Sequence, residues 1–365
     1  MISCPELLSC LESAGVDLFV GVPDSLLKNF CACLADTRPE AHVITANEGG
    51  AVALAAGHWL ATRHPALVYM QNSGQGNAVN PLASLADPDV YSIPMLLLVG
   101  WRGEPGVKDE PQHVKQGKIT LSLFETLGIP ISVLPDDEPV ALSIAADAVR
   151  RAVAESRPVA LVVRKGLFAP HALQNKPADI ADLRREDAIE GILRALPPSA
   201  VVVSTTGMIS REVYETRERH GESHARDFLT VGSMGHALMI ALGIAKAQPA
   251  RPVVCLDGDG ASIMQMGNLA IAGQSGCSNL FHIVLNNAAH DSVGGQPTVG
   301  GAISLPAIAA ACGYRLAPSL DVLFAPSPSP SFLEIRVAKG ARSDLGRPKE
   351  PPQTNKALFM ETLSK

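Results

Sequence analysis

One stretch, LDGDGASIMQMGNLAIAGQSGCSNLFHIVLNNAA at residues 256–289, narrows the folds open to this chain. It starts at the end of an apolar run, Val253 to Leu256, that reads as a buried strand. Gly258, Asp259 and Gly260 follow at once, and the glycines permit a tight turn and close backbone approach to a ligand. A helix pattern then runs to about Ser275, and a second apolar run, Leu280 to Leu285, ends in Asn286 and Asn287. Asp259 is thereby set at the carboxyl end of a strand, where open α/β sheets bind ligands, and the first N–H groups of the helix can face a phosphate. Two neighbouring strands deliver a carboxylate and an amide oxygen to one edge. These are hard oxygen ligands of the kind that hold Mg²⁺ together with a diphosphate. A GDG after a strand is by itself most often only a turn; the asparagine pair ending the next strand gives it chemical meaning.

The rest of the chain repeats this alternation. Strands are expected at Asp17–Gly21, His42–Thr45, Ala66–Met70, Met95–Val99, Ile131–Leu134 and Val159–Val163. Helices are expected at Pro23–Ala35, Glu48–Thr62, from about Gln75 and at Pro139–Glu155, and a charged Gly/Pro loop from Gly100 to about Gly117. Short apolar strands alternating with helices predict parallel sheets covered on both faces. Residues 168–184 read as a linker between domains at 1–167 and 185–365, after which the alternation resumes. There, helices are expected near Glu186–Ala195, from Ile209, from Met234, at Leu305–Ala311 and at Asn355–Leu363, with strands at Ala200–Ser204 and Phe332–Val337. The halves look like distant copies. Gly57 and Gly243 sit in small-residue helices and precede Gly74 and Gly260 by the same number of residues, so NSG at 72–74 takes the place of GDG at 258–260.

Composition sets limits. The 365 residues are 47% apolar and 18% charged with a net charge of −6, which fits an α/β enzyme and gives no reason to expect a nucleic-acid partner. Seven scattered cysteines without a CxxC read as reduced thiols of a cytoplasmic protein. No run of 18 apolar residues predicts a membrane span, and the N-terminus, with Glu6 and Glu12, reads as an amphipathic helix rather than a signal peptide.

The GDG…NN spacing resembles the diphosphate- and metal-binding motif of thiamine diphosphate enzymes, and nearly the whole chain resembles their decarboxylases in minimal form. The resemblance implies two similar doubly wound parallel-sheet domains, pyrimidine-binding first and diphosphate-binding second, with no middle domain. Thiamine diphosphate and Mg²⁺ are the implied cofactors. Asp259, the side chain of Asn287 and the carbonyl of Ala289 are the implied metal ligands. Glu48, in TANEGGAVALAAG, matches the glutamate that activates the aminopyrimidine; a carboxyl among Ala and Gly is desolvated and its pKa rises. Gly232, Ser233 and Met234 match the turn whose carbonyl receives the 4′-amino group and whose large side chain props the bent cofactor. Thr205, Thr206 and Gly207, with Gly258, Gly260, Ala261 and Ser262, match the diphosphate cradle.

Four stretches, at 21–28, 69–113, 286–298 and 340–348, resemble the phosphonopyruvate decarboxylase family in particular, with sulfopyruvate decarboxylases nearest. The implied reaction converts 3-phosphonopyruvate to phosphonoacetaldehyde and CO₂ in phosphonate biosynthesis. A small anionic 2-keto acid calls for fixed cations; Arg102, Lys108 and His113 are candidates, with Lys115, Lys118, Arg342 and Arg347 beyond them. Asp24, Ser25, His113 and His290 are candidates for proton transfer. The family implies at least a homodimer with active sites at the subunit interface. A sulfopyruvate decarboxylase, a related carboligase and an inactive cofactor-binding scaffold are the alternatives. The Pro/Ser run at 326–331 suggests a trimmed helix or loop.

Overall fold

A computed structural model describes all residues, Met1–Lys365, which form two compact units, Met1–Lys176 and Pro177–Lys365. The first holds β1 (Leu18–Gly21), β2 (His42–Ile44), β3 (Ala66–Gln71), β4 (Met95–Gly100), β5 (Ile131–Val133) and β6 (Pro158–Val163) in one parallel sheet ordered β2-β1-β3-β4-β6-β5. The second holds β7 (Val201–Ser204), β8 (Asp227–Leu229), β9 (Val253–Gly258), β10 (Leu280–Asn286), β11 (Ala289–His290), β12 (Gln296–Pro297), β13 (Arg315–Leu316) and β14 (Ser331–Arg336). Its parallel sheet is ordered β13-β14-β10-β9-β7-β8, and β11 and β12 pair antiparallel outside it. Counted along each unit from the matching edge, both sheets have one order: second, first, third, fourth, sixth, fifth. The expected internal duplication is therefore present in the topology.

The central strands are buried on both faces, as all-parallel sheets require. In the first unit Phe19, Leu67, Leu96 and Leu161 face Leu7, Leu8 and Phe30. The alternate residues Val20, Val68, Leu97 and Val99 face Ala51, Val52, Ala55 and Leu82. Small residues let the helix Glu48–Thr62 lie close to the sheet, and Asn47 caps it, its Oδ1 accepting from Gly50 N at 2.9 Å. In both orders the chain reverses direction between the first and third strands, the topological switch point where such sheets open a crevice at their carboxyl ends.

Several boundaries differ from expectation for local reasons. The helix expected from Pro23 begins at Lys28, because Asp24 closes a turn by accepting from Leu26 N at 2.9 Å. The loop expected to reach Gly117 ends earlier, at the helix Pro111–Thr126, where proline suits the first helical position. The helix expected to run to Ser275 breaks at Gln265 and Met266 into Asp259–Met264 and Gly267–Gly273. There Gly235 presses on Gln265, where a Cβ would stand 2.6 Å from Cγ. The helix expected from Met234 begins at Ala237, after a turn with positive φ at Gly232, Ser233 and Gly235. β8 had no apolar signature: its Asp227 is buried against Arg217 at 2.9 Å. Residues 315–337 form β13, a single helical turn at Leu320–Leu323, and β14; the Arg315 guanidinium ties the turn to Ser331. Residues 168–184 divide between the units: Ala169 N donates to Ile2 O, and Ala338 N to Leu183 O. No helix is long and apolar enough to cross a membrane, and all seven cysteines are unpaired.

The loop after β4 is locked by Gly117, where a Cβ would fall 1.7 Å from Gly103 O, a backbone atom. Gly117→Ala is expected to destabilise the fold by about 1–3 kcal/mol, read as a lower urea midpoint. Gly57→Ala, where nothing lies within 4 Å, is expected to stabilise the helix by up to about 1 kcal/mol.

Candidate active site

Each unit gathers its candidate residues at the carboxyl ends of its first four strands. In the first unit, β1 leads to Asp24 and Ser25, β2 to Glu48, β3 to Asn72 and Gly74, and β4 to Arg102. Glu48 is 5% exposed. Its Oε2 accepts from Asn77 Nδ2 at 2.6 Å. Gly74 gives the carboxylate its room, since a Cβ there would sit 2.3 Å from Oε1. Burial raises the Glu48 carboxyl above its ordinary value, and the Asn77 hydrogen bond only partly opposes this.

Asp24 is fully buried. It accepts from Gln71 Nε2 at 2.6 Å and from Leu26 N. Burial again raises its proton affinity, against these hydrogen bonds and the field of Arg102. Arg102 Nη1 donates to Ser25 Oγ at 2.6 Å, and its Nε to Asp109 Oδ2 at 2.8 Å. His113 Nδ1 lies 3.0 Å from Asp109 Oδ1. For Asp109 the burial penalty is outweighed by the bonds from Arg102 and His113, which hold it well below the usual carboxylate range. Asn72 fastens the backbone of this loop, Nδ2 donating to Arg102 O at 2.7 Å. Asp24, Ser25, Arg102 and His113 thus form one network through Asp109, while Lys108, Lys115 and Lys118 are exposed. Arg342 is engaged elsewhere, on Glu186, Glu215 and Asp344.

In the second unit Asp259 is 2% exposed. Thr298 Oγ1 donates to its Oδ2. Burial pushes the Asp259 carboxyl up to about 6, against hydrogen bonds from Thr298 and from the backbone at Asn287 and Gly260. Those contacts bring the GDG turn and the asparagine pair together. Asn287 Oδ1 accepts from Ala289 N at 3.1 Å. Ala288 between them holds φ 54°, a left-handed conformation that costs a non-glycine residue about 1–2 kcal/mol. His290 stands over the turn, where a Cβ on Gly260 would come 3.0 Å from its Cε1; burial pushes its imidazole down to about 4, against the pull of Asp291. Ser262 Oγ, expected on a diphosphate, donates to Asp257 Oδ2 at 3.2 Å. Asp257 also accepts from Gly258 N and groups with buried Cys255 and His282, so it braces the turn from behind.

The Gly232 turn follows β8, the position Glu48 holds after β2. Gly232 N donates to Thr206 Oγ1 at 3.0 Å, and Met234 is half-buried. Thr205 Oγ1 is buried without a hydrogen-bond partner. Gly207, at φ 100°, precedes the uncapped amides of the helix Met208–His220. An orphaned hydroxyl beside free amides suits an anionic oxygen.

The sequence matches two family models: the N-terminal TPP binding domain of thiamine pyrophosphate enzymes over residues 6–123 and their C-terminal TPP binding domain over 205–322. Phosphonopyruvate decarboxylase of Streptomyces hygroscopicus is 38% identical over 99% of this chain and 94% of its own length. That of Streptomyces viridochromogenes is 38% identical over 96% and 92%. The chain belongs to the thiamine pyrophosphate enzymes, in the phosphonopyruvate decarboxylase family. Sulfopyruvate decarboxylase of Methanosarcina acetivorans is a more distant relative, 27% identical over 98% of this chain and 97% of its own length.

The residues fit the cofactor of this family. Asp259, Asn287 Oδ1 and the Ala289 carbonyl are an all-oxygen donor set suited to Mg²⁺. Thr205, Thr206 and the amides after Gly207 can receive a diphosphate, and Glu48 can meet an aminopyrimidine. Asn77, Gln71, Thr298 and Asp291, which hold these groups, carry no pattern of their own in the sequence, although all four lie inside the family-like stretches 69–113 and 286–298.

Glu48→Gln is expected to cost about 10²–10⁴-fold in turnover, the scale of acid–base catalysis. Because burial raises the folded carboxyl, its protonated form favours folding: that contribution is fully present below the ordinary value of 4.5 and lost as pH rises through the raised value. The Gln variant should therefore melt higher than wild type at neutral pH, with the gap closing towards pH 4.5; melting curves across pH check it.

Proposed function

We propose that this enzyme decarboxylates 3-phosphonopyruvate to phosphonoacetaldehyde and CO₂, using thiamine diphosphate and Mg²⁺. The reading is carried by one observation: chain-long identity of 38% to two phosphonopyruvate decarboxylases, in a chain whose buried Glu48 and Asp259 each stand at the carboxyl end of a strand, after the second strand of one unit and the third of the other. When bound, thiamine diphosphate supplies the nucleophilic carbon and the sink for the electron pair that CO₂ leaves behind.

The chain's own residues do the remaining work. Glu48 keeps one oxygen on Asn77 and offers the other, beside Gly74, to exchange a proton with the aminopyrimidine. Asp259, Asn287 and Ala289 hold the metal, with Thr205, Thr206 and the amides after Gly207 on the diphosphate; the Gly232 carbonyl and Met234 orient the rings. Asp24, whose burial favours its protonated form, delivers a proton to the product carbon. Arg102, fixed by Asp109, presents a cation through Ser25, and Lys108 adds charge at the exposed rim. His113 orients Asp109. His290, uncharged at neutral pH, stands beside the metal turn.

The pyrimidine half-site of one subunit is proposed to face the diphosphate half-site of another, so the active form is at least a homodimer. Unpaired cysteines accord with a cytoplasmic setting. Purified enzyme with thiamine diphosphate and Mg²⁺ is expected to release CO₂ from phosphonopyruvate much faster than from sulfopyruvate or pyruvate. Preference for sulfopyruvate would keep the chemistry and overturn the substrate; no turnover of any 2-keto acid by folded, cofactor-loaded protein would overturn the enzyme reading. Asp24→Asn is expected to lower turnover by about 10²-fold or more while leaving cofactor retention unchanged.

A further inference from the structure

A buried cluster behind the metal turn has no part in the chemistry above. Arg185, at the start of the helix Arg185–Ala195, is 5% exposed. Its Nε and Nη2 donate to the two oxygens of Glu212 at 2.7 and 3.0 Å, and Nη2 also reaches Gly340 O at 3.1 Å. Its remaining nitrogen, Nη1, donates to Asp291 Oδ2 at 2.7 Å. The same oxygen accepts from Gly340 N at 3.0 Å and from Asn287 Nδ2 at 2.6 Å.

We infer that Asp291, held by Arg185, is the positioning residue that fixes which way the Asn287 amide points. An asparagine amide has a donor end and an acceptor end of nearly equal size, so its orientation must be imposed by its partners. A carboxylate paired with arginine accepts only, so it can face only the Nδ2 end. The Ala289 N–H donates only, so it faces the Oδ1 end. Both partners select one orientation, in which Nδ2 is spent on Asp291 and Oδ1 is the end left to meet a cation. A flipped amide would offer N–H groups to a cation. Residues that orient metal ligands this way typically affect metal affinity about 10–100-fold. Arg185 draws its anchorage from Glu212 on the helix Met208–His220 and from Gly340 in the chain after β14, so three separate segments set one amide. The inference rests on the proposed metal reading of Asn287.

The test measures how much Mg²⁺ full-length protein needs to retain thiamine diphosphate in equilibrium dialysis, a readout independent of turnover. Asp291→Asn is expected to raise the half-saturating Mg²⁺ concentration about tenfold or more, with the unfolding midpoint of the cofactor-free protein recorded beside it. The exchanged pair, Asn287→Asp with Asp291→Asn, restores a donor opposite an acceptor and is expected to return to within about threefold of wild type. Asn287→Asp alone sets two carboxylates together and is expected to be worse than the pair. Wild-type Mg²⁺ dependence in Asp291→Asn, or an exchanged pair no better than the weaker single variant, overturns the inference; if Asp291→Asn does not fold, the exchanged pair decides. Asp259→Asn separates the two readings. If it too keeps wild-type Mg²⁺ dependence, the metal reading itself fails. If Asp259→Asn is impaired while Asp291→Asn is not, only the inference about orientation is lost.

Discussion

Glu48, Asp24 and Asp259 each lose most of their hydration at a strand end, and for each the loss is the largest influence on proton affinity. A carboxylate denied water must find other dipoles or take up a proton. Here the hydrogen bonds are too few to restore an ordinary value: Asn77 and its own amide on Glu48, Gln71 with the Leu26 and Ser25 amides on Asp24, Thr298 and three amides on Asp259. Bare backbone presses against each of them. A Cβ would stand 2.3 Å from Glu48 at Gly74, 2.1 Å from Asp24 at Gly100 and 2.6 Å from Asp259 at Gly300. These glycines bring main chain to the carboxylates without a side chain that would displace them. The buried central strands on either side provide the stability that lets such groups persist.

One strand order, used twice, serves two kinds of chemistry. The first unit places ionisable groups after its first, second and fourth strands, Asp24, Glu48 and Arg102, with His113 reached through Asp109, and leaves Asn72 and Gly74 after the third. The second places oxygen donors and amides at the equivalent ends: Thr205 and Thr206, the Gly232 turn, Asp259, and Asn287 with Ala289. Glu48 and the Gly232 turn occupy the same station after the second strand, and Gly74 and Gly260 the same station after the third. The switch point needs only the parallel order of neighbouring strands, so either set of side chains can be grafted on it without altering the core.

The sheets were legible because buried parallel strands are near-continuous apolar runs, and β3, β4, β9 and β10 are such runs. The Ala-rich helix Glu48–Thr62 was legible at both ends for a related reason, since Asn47 caps it and apolar spacing carries it through. Elements that depend on distant partners were not. β8 is three residues long and holds a buried Asp227 that only Arg217 makes tolerable. The break at Gln265 falls where the backbone of Gly235, far away in sequence, lies against the Gln265 side chain. Glu48 and Asp259 could be read because their neighbours are small and their stations recur. Asn77, Thr298 and Asp291 carry no pattern of their own; their importance appears only when side chains from separate segments meet.

The cation at Arg102 shows how the network divides one charge between structure and chemistry. Asp109 occupies one edge of the guanidinium, so Arg102 does not stand as an unbalanced charge in a half-buried loop. The other edge donates to Ser25, whose hydroxyl lies 3.5 Å from Asp24 Oδ1. Arg102 thereby lowers the proton affinity that burial raises at Asp24. A lysine could supply the charge but not the fork, and would have to choose between Asp109 and Ser25. The planar side chain satisfies both, so one residue fastens the loop after β4 and also draws down the proton affinity that burial raises at the group after β1.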